Sequence, residues 1–172
     1  MLTVLADSGP LIALAKLNRL ELLLKLWQTV LVTETVYHET VVLGQSREAA
    51  DALTIRLFWQ QHRLPVVPVS TAVLTAYAPA LQLDPGEHAT FALALTLLPD
   101  VLVLVDDEEA RNEARRLGLR MRGTLGVVVK AFRREALTFS EAELLLKEIA
   151  ARPDIWISAA LCEQVLKSLQ ST

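Results

Sequence analysis

The 172-residue sequence predicts an α/β fold with a predominantly parallel sheet. Three observations carry that reading. Short apolar runs at 2–6, 30–32 and 101–105 recur between longer stretches whose apolar residues have helical spacing. Helices lying between such runs imply parallel βαβ connections. The strongest run, 101–105, is rich in β-branched residues and does not alternate, as expected of a strand buried on both faces.

In chain order, residues 2–6 form a first strand that stops at Asp7, and Gly9-Pro10 turns into a helix from Leu11. Helical spacing continues over 11–16 and 19–27, split near Asn18. Strand 30–32 leads to Thr33, a suitable cap for a helix over 34–40. After a polar turn at 44–46, residues 48–61 read as an amphipathic helix with Ala52, Ile55 and Trp59 on one side. Two prolines make 64–69 an edge strand or connector, and 70–77 suits a short helix. Asp84-Pro85-Gly86-Glu87 has the signature of a capping box with proline at the first helical position. Strand 101–105 runs into Asp106-Asp107 and a helix that ends at Gly118. A short strand at 120–122 and a helix over 124–134 follow. Ser140-Glu141-Ala142-Glu143 reads as a second box opening a helix to about 152. Residues 155–157 are extended, and Ser158 caps a last helix to about 169.

At 52% hydrophobic and 22% charged, the chain can form one domain that buries roughly 70% of its unfolded surface. Aromatics are only 5%, so Leu, Val and Ala must fill the core. Cys162 is the only cysteine, which excludes an intrachain disulfide and suits a reducing cytoplasm. No basic stretch followed by an apolar one opens the sequence, so no signal segment is expected. Residues 64–83 carry no charge over a span-like length of twenty. Pro65, Pro68, Pro79 and several hydroxyl side chains place them inside the globule instead, so no membrane association is expected.

The net charge of −3 predicts no general affinity for nucleic acid, but its distribution is uneven. Between 111 and 134, eight basic residues stand against Glu113 alone; Arg111, Arg115 and Arg122 are among them. Such a tract either faces a polyanion or covers solvated helix faces.

Four acidic positions stand out by location: Asp7 and Asp106-Asp107 at strand ends, Glu87 in a first helical turn, and Glu39 on the helix after the second strand. A parallel sheet gathers the carboxyl ends of its strands at one edge. Crowded carboxylates repel unless a cation neutralises them, and an all-oxygen donor set suits Mg²⁺ or Mn²⁺. Each acid also has a purely structural explanation. Asp7 suits an Asx turn, Glu87 completes a box, Asp106 can cap a helix with Glu109, and Glu39 can lie on the surface. His38 and His88 lack partners at zinc spacing, and Trp27, Trp59 and Trp156 are read as core or interface residues, with base stacking the lesser alternative.

Several motifs resemble the PIN-domain ribonucleases, in particular the VapC-like toxin branch. They are Ala6-Asp7-Ser8-Gly9-Pro10-Leu11, Val36 with Glu39, Asp84-Pro85-Gly86-Glu87-His88-Ala89, Leu104-Val105-Asp106-Asp107-Glu108-Glu109-Ala110-Arg111, and Gly123-Thr124-Leu125-Gly126-Val127. The resemblance covers about 2–137 and implies a single domain over 1–172, with less diagnostic C-terminal helices at 140–170. It implies a three-layer α/β/α sandwich with a mainly parallel sheet. It further implies Mg²⁺- or Mn²⁺-dependent cleavage of single-stranded or structured RNA, an antitoxin partner protein and a homodimer. By motif, Asp7, Glu39, Glu87 and Asp106 take the catalytic acidic positions, and Ser8 falls where the family often has a hydroxyl. The usual Thr or Ser two residues before the last acid is missing. Asp106 and Asp107 are therefore both candidate ligands, with Asp106 preferred.

If the acids hold metal, Asp7 and Asp106 are the core ligands, Glu39 and Glu87 hold waters or a second ion, and the basic tract holds RNA. The competing reading is a catalytically inactive module that binds RNA or protein, its acids serving as caps. A phosphoryl-transfer receiver ranks below both, because it needs an acidic pair after the first strand, where only Asp7 stands.

Overall fold

The computed structural model describes residues 1–171. Its strands are β1 (Thr3–Ala6), β2 (Thr29–Thr33), β3 (Val66–Val67), β4 (Val101–Leu104) and β5 (Arg120–Arg122). They pair in parallel throughout, in the order β3-β2-β1-β4-β5. The helices are α1 (Ser8–Lys16), α2 (Glu21–Leu26), α3 (Glu34–Tyr37), α4 (Gly44–Ser46), α5 (Ala50–His62), α6 (Thr71–Ala76), α7 (Pro85–Thr96), α8 (Glu108–Arg116), α9 (Thr124–Arg133), α10 (Phe139–Ala151) and α11 (Ala159–Gln170).

Period-two alternation along the central strands separates two cores. Val4, Ala6, Val30, Val32, Leu102 and Leu104 point to one face, where they pack with apolar residues of α1, α2, α5, α9, α10 and α11. Leu5, Val101, Val103 and Val105 point to the other, against Tyr77, Phe91 and Ala92, with Ala110 and Ala114 of α8. The result is a three-layer α/β/α sandwich on an all-parallel sheet, the architecture expected from the sequence.

β1 sits centrally. Its successors β2 and β3 extend the sheet one way, and β4 and β5 the other. The order therefore reverses beside β1, which opens a crevice at the carboxyl ends of β1 and β4.

Several local expectations change: α1 begins at Ser8 and takes in Gly9-Pro10, and the turn expected at 44–46 is the short helix α4. The helix after β2 is α-helical for one turn and then widens into a π-helical turn at His38–Leu43 before α4. Thr40 Oγ donates to the Val36 carbonyl at 2.8 Å, competing for the acceptor of a regular α-turn. The box before α10 is Thr138 with Glu141, two residues earlier than expected, because the backbone N–H of Glu141 reaches the Thr138 hydroxyl. Residues 155–157 join no sheet; Ile155 is buried there while Trp156 projects outward. Among the described residues, no helix is long and apolar enough to cross a membrane.

Candidate active site

The crevice collects acids because strand registry brings their elements together. Ala6 pairs with Leu104, and the Asp7 N–H continues the ladder to the Leu104 carbonyl at 3.0 Å. Asp7 thus leaves the end of β1, and Asp106 lies two residues beyond the end of β4.

Asp7 occupies the N-cap position of α1 but its side chain caps nothing. The residue is 5% exposed, and its Oδ1 is buried without a hydrogen-bond partner. Burial first, then the charges of Asp84 and Glu87 and the weaker charge of Glu39, push its pKa well above the usual carboxylate value, against one backbone hydrogen bond at Ser8. An orphaned buried carboxylate oxygen among like charges is costly in an isolated fold.

Glu39 reaches in from the widened turn. Its Oε2 accepts from Ser8 Oγ at 2.9 Å, so Ser8 orients an acid in the free protein. The first turn of α7 approaches so closely that a Cβ at Gly86 would overlap that same oxygen, so a larger residue there would displace the Glu39 carboxylate. Burial raises the Glu39 pKa, opposed by the Ser8 hydroxyl.

The Asp84 box forms as expected, with Glu87 N–H to Asp84 Oδ1 at 2.8 Å and Asp84 N–H to Glu87 Oε2 at 3.0 Å. The cap does not exhaust either side chain's influence. Burial, with the charges of Asp84, Asp107 and Glu39 adding, pushes Glu87 up to about 7. Asp84, read from the sequence only as a cap, also leads the charges acting on Asp7 and on Glu39.

Asp106 stands somewhat apart. Thr124 grips both its oxygens, through the backbone N–H at 2.7 Å and the hydroxyl at 2.5 Å. Gly123 permits this: a Cβ there would lie 2.7 Å from Asp106 Oδ1. Burial still raises the Asp106 pKa, while the Thr124 bonds and the Arg111 charge oppose it. Its neighbour Asp107 caps α8, accepting from Ala110 N–H at 2.9 Å. The two aspartates therefore have different local duties.

Asp7, Glu39, Asp84 and Glu87 form one electrostatically coupled set. Asp107 borders it through Glu87, and Asp106 lies against Gly9 in the first turn of α1. Among the described residues, no three His, Cys, Asp or Glu side chains already converge as a metal cage. Mg²⁺ needs no such cage, since one or two carboxylates and several waters suffice. The free Asp7 oxygen and the all-oxygen donors fit an ion of that kind.

The basic tract does not form one surface. Arg111 lies beside Asp106, with Nη1 donating to the Val105 carbonyl at 3.3 Å. Arg115 is exposed and engaged by Asn112 and Glu108 on its own helix. Arg116 is bound to the fully buried Glu113, which also accepts from Tyr77 Oη at 2.8 Å and Ala80 N–H at 3.1 Å. Arg120 donates to the Pro99 carbonyl, before β4 and hence at the opposite sheet edge. Arg122 donates to the Gly126 carbonyl at 3.3 Å, and Lys130 sits over the Trp27 ring.

Sequence comparison agrees with this arrangement. Residues 3–171 match the family model DUF3368, described as a PIN domain, and PIN domains are in general nucleases that bind nucleic acid and use divalent metals. No curated protein matches the chain significantly. With nearly its whole length matched and a parallel sheet that gathers acids at its switch point, the chain belongs to the PIN-domain family.

Proposed function

We propose that the chain is a Mg²⁺- or Mn²⁺-dependent endoribonuclease of the VapC-like kind, the toxin of a toxin–antitoxin pair. One observation carries the catalytic part: Asp7 holds a helix-cap position without capping, and keeps a buried oxygen free among other acids. The capping explanation accounts for Asp84, Glu87 and Asp107, but not for Asp7.

In this reading Asp7, Asp106, Glu39, Glu87 and Asp107 would hold the ion, Asp106 through lone pairs not used by Thr124. The chemistry supplied there would be activation of a water and offset of negative charge on the phosphoryl oxygens. Glu87 would accept a proton on Oε1, since Oε2 is taken by the Asp84 N–H. Ser8 orients Glu39, and Arg111 steadies Asp106 against the end of β4. Arg115 and Arg122 contact the RNA backbone once they exchange their present partners. The exposed Val42 and Leu43, with Leu53 and Leu57 on α5, offer an apolar surface for a second copy or an antitoxin.

The test is cleavage of a labelled single-stranded RNA with Mg²⁺ or Mn²⁺. Activity should be abolished by EDTA, by Asp7→Asn and by Asp106→Asn. Unchanged cleavage in both variants refutes the reading.

A further inference from the structure

The sequence assigns all three tryptophans the same role, but the fold separates them. Trp27 is 7% exposed and Trp59 2%, whereas Trp156 is 94% exposed. Trp156 also forms part of the wall of a cavity of about 610 Å³ whose lining includes Asp106. That volume is typical of a small-molecule site. Ile12 and Ala13 of α1, with Ile157, supply apolar lining.

The segment that carries Trp156 is braced. Lys16 Nζ donates to the Asp154 carbonyl at 2.7 Å, and Arg152 Nη1 donates to the Lys16 carbonyl at 3.0 Å. Arg152 also forks onto both Asp154 oxygens at 2.9 Å each. Buried Ile155 anchors the residue just before Trp156. The indole is held out as a platform at little further cost in ordering.

The charge around the cavity limits its occupant. Asp106, Asp107, Glu108 and Asp154 line it, and the lone cation, Lys16, is already paired with Asp154. This rim disfavours phosphate and suits a neutral ring with N–H donors that carboxylates accept. A nucleobase has that chemistry, and it is tethered to a phosphate that must reach the neighbouring acids.

We propose that this cavity is a nucleobase subsite, in which Trp156 stacks on one unstacked base flanking the scissile phosphate of single-stranded RNA. The proposal rests on the nuclease reading of the acids. It predicts a preference for single strands and for bases bearing an amino group over uracil, because exocyclic amines can donate to the acidic rim.

The test uses the full chain, a dye-labelled single-stranded oligoribonucleotide and Ca²⁺ to support binding, read by fluorescence anisotropy. Trp156→Ala should weaken binding about 5- to 100-fold, the range of one base–aromatic stack. Trp156→Phe should retain most of the affinity. The difference between wild type and Trp156→Ala should vanish on an oligomer of the same length with abasic sites. Equal affinity of wild type and Trp156→Ala overturns the subsite, as does absence of binding by the wild type. Unchanged RNA binding with altered sedimentation of Trp156→Ala also overturns it, in favour of a protein interface. Cleavage with Mg²⁺ separates the two readings. An Asp7-dependent nuclease whose binding ignores Trp156 loses only the subsite, and Trp156-dependent binding without cleavage loses only the nuclease.

Discussion

Thr124→Val isolates the support of Asp106. Both side chains have the same branched shape, so the change removes the 2.5 Å hydroxyl bond and leaves the 2.7 Å backbone bond in place. A hydrogen bond to an ionised group contributes about 1.5–3 kcal/mol, and one to a neutral group about 0.5–1.5 kcal/mol. Without metal, the variant should lose the larger amount once the pH exceeds the folded pKa of Asp106 and the carboxylate is ionised. Burial raises the folded pKa of Asp106 above 3.8, so wild-type stability from this group falls as pH climbs from there through the folded value. Removing a bond that favours the charged form raises the folded pKa further. The gap between variant and wild type should therefore widen as pH rises and shrink towards pH 4. Urea unfolding in EDTA at pH 4, 6 and 8 measures it. A gap that is constant, or that grows on acidification, refutes the assignment of Thr124 as the support of a charged Asp106.

Asp7→Asn should abolish cleavage and yet stabilise the metal-free protein increasingly as pH rises, because it removes an acid whose ionisation burial, Asp84, Glu87 and Glu39 all oppose. Thermal unfolding in EDTA checks this, and a lower melting temperature contradicts it. Mg²⁺ or Mn²⁺ at a hundredfold excess over Kd should stabilise wild type by about 2.7 kcal/mol and should not stabilise Asp7→Asn; calorimetry with and without the ion decides. Glu87, raised from 4.5 to about 7, binds its proton more tightly when folded, so apo stability should decline between those pH values. Glu87→Gln should flatten that decline in a urea series from pH 4 to pH 8. Glu113 is the opposite case: Arg116 first, then Tyr77 and Ala80, hold it down at about 2, so its contribution is full above 4.5 and fades as pH falls towards 2. Glu113→Gln should destabilise by about 2–4 kcal/mol at pH 7 by breaking a buried network, and equal urea midpoints contradict that.

Most of the fold was legible because it is written in local patterns. The runs that became β1, β2 and β4 are apolar on both faces, and the Asp84 box marks the start of α7 whatever surrounds it. Overlapping signals were not resolvable in the same way. Thr138 and Ser140 each have a glutamate three residues on, and only the packed helix selects Thr138. The Asp84 charge was hidden behind its own cap, since a box explains the residue without reference to neighbours. Thr124 lies eighteen positions from Asp106 and meets it only because β5 adds beside β4. The basic tract looked continuous in one dimension, but α8, β5 and α9 turn its members to different sides and ends of the sheet. The single acid within it, Glu113, proved to be its most buried member. Trp156 sits in a short connector without periodicity, so no local pattern said whether it faced the core or solvent.

The central position of β1 also has a consequence in time. A ribosome makes the first strand early, and Thr3–Ala6 can pair with Thr29–Thr33 soon after. Its other edge waits for Val101–Leu104, and Asp106 is not secured until Thr124 has emerged. At about 5–20 residues per second, that interval lasts several seconds or longer. Through it the nascent chain carries a bare, mostly apolar strand edge, the kind that pairs with other chains. The Asp106 side of the crevice is complete only after Thr124 has been made. A ribosome-bound fragment of this protein is therefore exposed to misassembly well before it can act on any nucleic acid.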